Sequence, residues 1–250
     1  MRIFWTLLRR ELAAFFLSVT GYIIIAAVTF LVGASFVMLI KNLGTDPISM
    51  PITEVFFNSF LFWIIVILVT PVITMRLFAL EKASGTFETL MTTPVGDLEV
   101  VLAKYTAAMI FYLLMWLPAL ACLLIVGHFA NEKNALDAGT LGGVYLGIFL
   151  SGGLFLSAGC FASSLTRSQV VAAVVSLAAG VVLLIVAFLA QVVPATDQWQ
   201  EQIIPYFNLF KQMDDFTRGV VNTQTVVLYA SLTLFFLFLT LRVVESRRWR

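Results

Sequence analysis

Six charged residues, Arg76, Glu81, Lys82, Glu88, Asp97 and Glu99, crowd into one short island of a chain that is otherwise mostly apolar. Leu77, Phe78, Phe87, Leu90 and Met91 are interleaved with them, and Gly85 and Pro94 punctuate the run. The chemistry such a mixture supports is recognition: apolar anchors fill a socket while charges pair around it. A solvated loop accounts for the charges but not for Phe87, Leu90 and Met91.

Bond-making chemistry finds no support. The phosphate-cradling G-x-x-x-x-G-K-[ST] loop and the H-E-x-x-H zinc pattern occur nowhere, and His128 is the single histidine. It lies beside Gly127 at the end of an apolar run and reads as an interfacial polar residue. Cys122 and Cys160 fall within apolar runs, where they read as small core residues. Ser163 and Ser164 stand beside Arg167 with no base in the nearby sequence, and a serine nucleophile needs one. A proton or ion path would require ionisable residues within the spans, which are almost free of them. Neither a catalytic nor a metal or cofactor site is expected on this chain.

The elements that must position the island are membrane helices. The chain is 61% hydrophobic and 12% charged, with a mean hydropathy of +1.01, against about 25% charged in soluble domains. Roughly 20 apolar residues span a bilayer as a helix. That ruler predicts six spans, at about 15–40, 55–80, 100–127, 139–165, 168–193 and 224–243. The fifth carries no charge from Gln169 to Gln191. Barrel-type alternation is absent. The first run is too long for a signal peptide and lacks a cleavage site, so it reads as a retained span. The fold class is an all-α integral membrane protein, and residues 1–250 form one membrane domain.

Six spans put both termini on one side. That side holds Arg2, Arg9, Arg10, Arg76, Lys82, Lys104, Arg167, Arg242, Arg247, Arg248 and Arg250, eleven of the 15 basic residues. By the positive-inside rule both termini and the island are cytoplasmic.

Two segments outside the spans are amphipathic. Ile3, Phe4, Leu7 and Leu8 share a helical spacing with Arg2, Arg9 and Arg10 on other faces, which suits a short N-terminal interfacial helix or a basic topology anchor. Before the last span, Ile203, Phe207, Phe210, Met213, Phe216 and Val220 recur at three- and four-residue steps. Asn208, Lys211, Gln212, Asp215 and Arg218 fall opposite, and Gly219 supplies a helix stop. This external helix is expected to lie on or dip into the outer leaflet. In the fourth span Gly139, Gly143, Gly147 and Ser151 stand four apart. Such a stripe lets helices approach closely, either within one subunit or between two. Pro71 and Pro118 can kink their spans.

The run Met75-Arg76 … Glu81-Lys82-x-x-Gly85-Thr86-x-Glu88-x-Leu90-x-x-x-Pro94-Val95, followed by Val100 to Tyr105, resembles the first cytoplasmic loop of type-2 ABC exporter permeases. It looks most like the gliding-motility-associated bacterial branch. Phe207-x-x-Phe210 … Phe216-x-Arg218-Gly219-Val220-Val221 and the tail Glu245 to Arg248 are similar as well. Two departures are visible: Ala103 precedes Lys104 where the family often has Gly, and Thr93 follows Thr92 where Ser is common.

The resemblance implies a half-transporter permease in the bacterial inner (cytoplasmic) membrane, pairing with a second permease copy or paralogue and two separate ATPase subunits. ATP and Mg would be bound on the partner ATPase, and nucleic acid is not among the partners. Carried onto this chain, the ATPase-coupling element is about Glu81 to Val95, with Arg76, Glu81, Gly85, Thr86, Phe87, Glu88, Leu90, Pro94 and Lys104 as candidate coupling residues. Phe87, Leu90 and Met91 would fill the partner's socket, and Glu81 and Glu88 would pair with its basic groups. A membrane scaffold that docks cytosolic proteins without transport would use the same loop. The shortage of charge in the spans favours an amphiphilic, polymeric or lipid-linked substrate over a small ion.

Overall fold

In a computed structural model of the chain, residues 2–43, 52–87, 95–130, 138–192, 204 and 206–248 are described. They fold as helices α1 (Arg2–Phe16), α2 (Val19–Leu43), α3 (Ile52–Phe57), α4 (Phe60–Thr74), α5 (Ala79–Ser84), α6 (Asp97–Met115), α7 (Leu117–Ala130), α8 (Ala138–Leu165), α9 (Gln169–Val192), α10 (Leu209–Thr217) and α11 (Thr223–Arg248). No strand occurs among the described residues.

Among the described residues, six stretches are long and apolar enough to cross a membrane: Val19–Lys41, Phe60–Ser84, Asp97–Ile125, Gly139–Leu165, Gln169–Val192 and Thr223–Ser246. The expected six-span, all-α architecture is therefore present. Burial runs opposite to hydropathy for two of them. Gly139–Leu165 is the least apolar and the most enclosed, whereas Gln169–Val192 is the most apolar and largely uncovered by the rest of the chain. A span facing lipid must be apolar all round, while a central one can use glycine, alanine and serine to bring its neighbours close. Accordingly α8 packs against α4, α6, α9, α10 and α11.

The second span departs from the 55–80 expectation. It opens at Phe60, because Ser59 caps α4 by accepting the Phe62 amide, and α3 stands before it as a separate turn of helix. It also runs on to Ser84, after a break at Met75–Phe78. In the third span the helix is interrupted at Trp116, whose N–H turns back to the Leu113 carbonyl at 3.1 Å. Pro118 explains the break, since its ring collides with the carbonyl four residues earlier.

The glycine stripe serves this chain's own packing. A Cβ on Gly143 would strike the Phe216 carbonyl, and one on Gly147 would come 2.9 Å from the Met213 sulfur. Ser151 continues the stripe with its hydroxyl donating to the Gly147 carbonyl at 2.7 Å, and Gly139 lies against Gly219. At Gly143 and Gly147 the neighbour is thus α10.

Consequently the apolar face of α10 is not spread on the outer leaflet, as expected from its periodicity. Met213 and Phe216 are buried in the protein core, and Phe210 meets Trp63 edge-on at 5.4 Å. Phe207 alone of the three named phenylalanines is exposed. Asn208 and Gln212, assigned to the polar face, are buried too. Asn208 caps the helix at the Lys211 amide, and the Gln212 amide donates to the Tyr206 carbonyl at 2.8 Å. Gly219 does stop the helix: at φ +75° it lets Val220 N–H reach the Asp215 carbonyl and its own N–H reach that of Phe216. Ile203 lies outside the described residues.

Candidate functional site

The charged island meets the bundle at the end where α1, α5 and the start of α6 converge. α1 lies along α6, with Phe15 stacked on Phe111 at 4.9 Å and Phe16 edge-on to the same ring. Its inward face, Leu7, Leu8 and Phe15, is buried by the protein itself, leaving Ile3 and Trp5 outward. This register brings Glu11 to Lys104.

A closed ring of four charges results. Lys104 Nζ lies 3.1 Å from Glu11 Oε1 and 2.9 Å from Glu81 Oε1. Arg10 Nη2 lies 2.6 Å from the same Glu11 oxygen and 2.9 Å from the same Glu81 oxygen. The Lys104 side chain is only 2% exposed, and its ammonium also faces the Phe78 ring at 5.6 Å. Burial pulls the Arg10 guanidinium towards losing its proton, but the hydrogen bond to Glu11 and the charges of Glu11 and Glu81 outweigh this and raise its pKa. Two expectations change here. Glu81 is engaged inside the chain rather than held out for a partner's basic group, and Lys104 is the centre of a buried ion network.

α5 has no side-chain cap of its own. Ser163, at the end of α8, supplies it: its Oγ accepts the amides of Phe78 at 3.2 Å and Ala79 at 3.1 Å. Lys82 reaches the Ser164 carbonyl in the last turn of the same helix, where cations are favoured. Ser163 and Ser164, without a base by sequence, therefore act as structural ties between the island and the central span. α5 ends at Gly85, whose φ of +74° is a left-handed conformation natural to glycine. Helical residues resume at Thr86 and Phe87.

Phe87 is also corrected. Its side chain is 4% exposed, meeting Phe78 edge-on at 6.5 Å with the Lys82 ammonium over its ring at 5.2 Å. An aromatic side chain so enclosed anchors the island to its own bundle and is not available to fill a partner's socket. The outward residues are Leu80 and the turn Ala83, Ser84, Gly85 and Thr86. Glu88, Leu90 and Pro94 lie outside the described residues, as does Met91.

Between α1, the Met75–Phe78 turn, α5 and α6 opens a cavity of about 640 Å³ lined by the charged ring, Arg76 and an apolar floor. Arg76 Nη1 bonds the Thr20 hydroxyl. No group of three or more His, Cys, Asp or Glu side chains arranged to hold a metal ion occurs among the described residues.

A second charged cluster sits at the opposite end. Arg218 Nη2 pairs with Glu54 Oε1 at 2.7 Å and Asp214 Oδ2 at 3.0 Å, and the Asn58 amide donates to Asp214 Oδ1 at 3.0 Å. Arg218 is exposed, as expected of the polar face, and also clasps α10 to α3. Neither Glu11 nor Glu54 was singled out from sequence. The only signal was that each is a lone acid in an apolar or basic segment.

Residues 48–243 match the family described as ABC-2 family transporter protein. The comparison with curated proteins found no match.

Proposed function

We propose that this chain, which belongs to the ABC-2 transporter family, is the permease subunit of an ATP-driven exporter. The family consists of membrane permeases without catalytic activity of their own and without a cofactor on the permease chain, and an ABC permease implies an ATPase partner. In our reading the working unit pairs two permeases with two ATPase subunits that bind ATP and Mg. Both termini are cytoplasmic in a bacterial inner membrane, and the Glu81–Val95 element docks on the ATPase. Likeness of the Met75–Lys104 and Phe207–Val221 motifs to gliding-motility-associated permeases supports placement in that branch.

The observation that carries this reading is the attachment of α5 to α8 through Ser163 and Lys82. A docking element must be rigidly joined to what it moves, and here it is joined to the most enclosed span. ATP-driven closure of the ATPases would then displace α8 rather than bend a loose loop. The outward turn at Ala83–Thr86 is the part of the described element accessible to a partner.

Affinity purification in mild detergent, with mass spectrometry of co-purifying chains, tests the proposal. An ATPase that leaves when Ala83 to Thr86 are replaced by bulky charged residues is the expected result. Reporter fusions add the topology: signals near Asp97 and after Arg250 should be cytoplasmic, and those near Glu132 and Gln200 external. An external signal at Asp97 would put the element beyond reach of any ATPase and sink the assignment.

A further inference from the structure

Among the described residues that line the cavity beside α1, cations outnumber carboxylates by one. In the ring of Arg10, Glu11, Lys104 and Glu81, two cations face two carboxylates, each glutamate sharing one oxygen between both cations. Arg76 is the fifth charged group on the wall. Among the described residues it forms no ion pair. Its one hydrogen-bonded neighbour is the neutral Thr20 hydroxyl, and its Nε is buried with no hydrogen-bond partner. Buried guanidinium N–H groups left unpaired are costly, and such groups ordinarily find an acceptor.

The rest of the wall says what kind of acceptor fits. Ala14, Phe15, Leu77 and Leu80 are apolar and line the same space. An inorganic ion would leave that surface uncovered, whereas an amphiphile would cover it. A planar guanidinium presents N–H groups in a fork matched to phosphate oxygens. The surplus of one positive charge among the described lining residues matches the single negative charge of a phosphodiester.

We propose that this cavity binds one phosphate ester through Arg76, with the ester's apolar portion lying against Phe15, Leu77 and Leu80. The ester is either the headgroup of a bilayer phospholipid or a soluble phosphate ester. The neutral ring of Arg10, Glu11, Lys104 and Glu81 forms the back wall and ties α1 to α5 and α6. This assignment is independent of the ATPase reading, because it concerns the cavity's own charge balance.

The test uses the purified full chain placed in phosphatidylcholine nanodiscs containing a minor fraction of phosphatidylglycerol. Native mass spectrometry after release reads which lipid is retained. The wild type should retain phosphatidylglycerol over phosphatidylcholine, with retention falling as salt rises. Arg76→Gln should lower that retention about tenfold or more, Arg76→Lys should fall between, and Arg242→Gln, outside the cavity, should match the wild type. Added glycerophosphoglycerol, the soluble phosphodiester left when phosphatidylglycerol is deacylated, would identify a soluble ester as the ligand if it displaces the lipid, and failure to displace it would identify the lipid. Equal retention of the two lipids by the wild type, with no binding of glycerophosphoglycerol, overturns the proposal without reference to any variant. Undiminished retention in an Arg76→Gln protein of unchanged melting temperature in pure phosphatidylcholine overturns it as well.

Discussion

The hydroxyl of Ser163 sits 3.1 Å from the Ala79 amide and accepts its hydrogen bond, so that the last turn of the central span caps the first turn of α5. The two residues are 84 positions apart in the chain. A six-residue helix has little intrinsic stability, and here its order derives from this contact and from Lys82 on the Ser164 carbonyl.

Removing that cap should loosen the island without disturbing the membrane fold. Ser163→Ala leaves two buried amides short of an acceptor, a loss of about 1–3 kcal/mol. Limited proteolysis should then cut faster near Ala83–Thr86, while membrane insertion stays normal. Unchanged cleavage would mean that α5 is held by other contacts.

Lys104→Met should be far more damaging than its position near a span end suggests. It strands Glu11 and Glu81 with only the half-exposed Arg10, and breaking a buried pair costs about 3–5 kcal/mol. The double variant Lys104→Met, Glu81→Gln removes one stranded charge and should recover part of the lost melting temperature. A double variant no better than Lys104→Met alone would show that the two residues do not act as a pair.

Gly143→Ala and Gly142→Ala form a matched test of the α8–α10 contact. A Cβ at 143 collides with the Phe216 carbonyl, whereas at 142 it meets nothing within 4 Å. Alanine favours helix at either site, so Gly142→Ala should be neutral or stabilising. Gly143→Ala should destabilise by about 1–3 kcal/mol as α10 is pushed away. Thermal unfolding in detergent distinguishes them.

Phe87→Ala should lower stability as well as any partner contact. Truncating a phenylalanine enclosed in a core costs about 3–5 kcal/mol, and Phe87 packs against Phe78 and Lys82. A melting temperature equal to the wild type, with only co-purification lost, would return Phe87 to the role of an outward anchor.

How the chain divides between legible and hidden features follows from the range of the forces involved. Six spans were readable because roughly 20 consecutive apolar residues are a local requirement of the bilayer. The stop at Gly219 and the break near Pro118 were readable because backbone sterics act over a few residues. Periodicity correctly marked α10 as amphipathic, yet it could not say whether lipid or protein covers the apolar face, since both are equally apolar. Only the docking of α10 on Gly143 and Gly147 settled that, burying Met213 and Phe216.

Charge partners were hidden for the same reason. The sequence by itself determined that Arg76, Glu81, Lys82 and Lys104 gather at one end of the bundle, since hydropathy keeps ionised groups out of the spans' centres. Tertiary structure alone decided that Glu81 faces Lys104 and Arg10, that Ser163 caps α5, that Arg218 meets Glu54, and that Phe87 turns inward. Arg10–Glu81 and Arg218–Glu54 join residues 71 and 164 positions apart. A pairing at such separation is selected by how whole helices pack, and no local pattern encodes it.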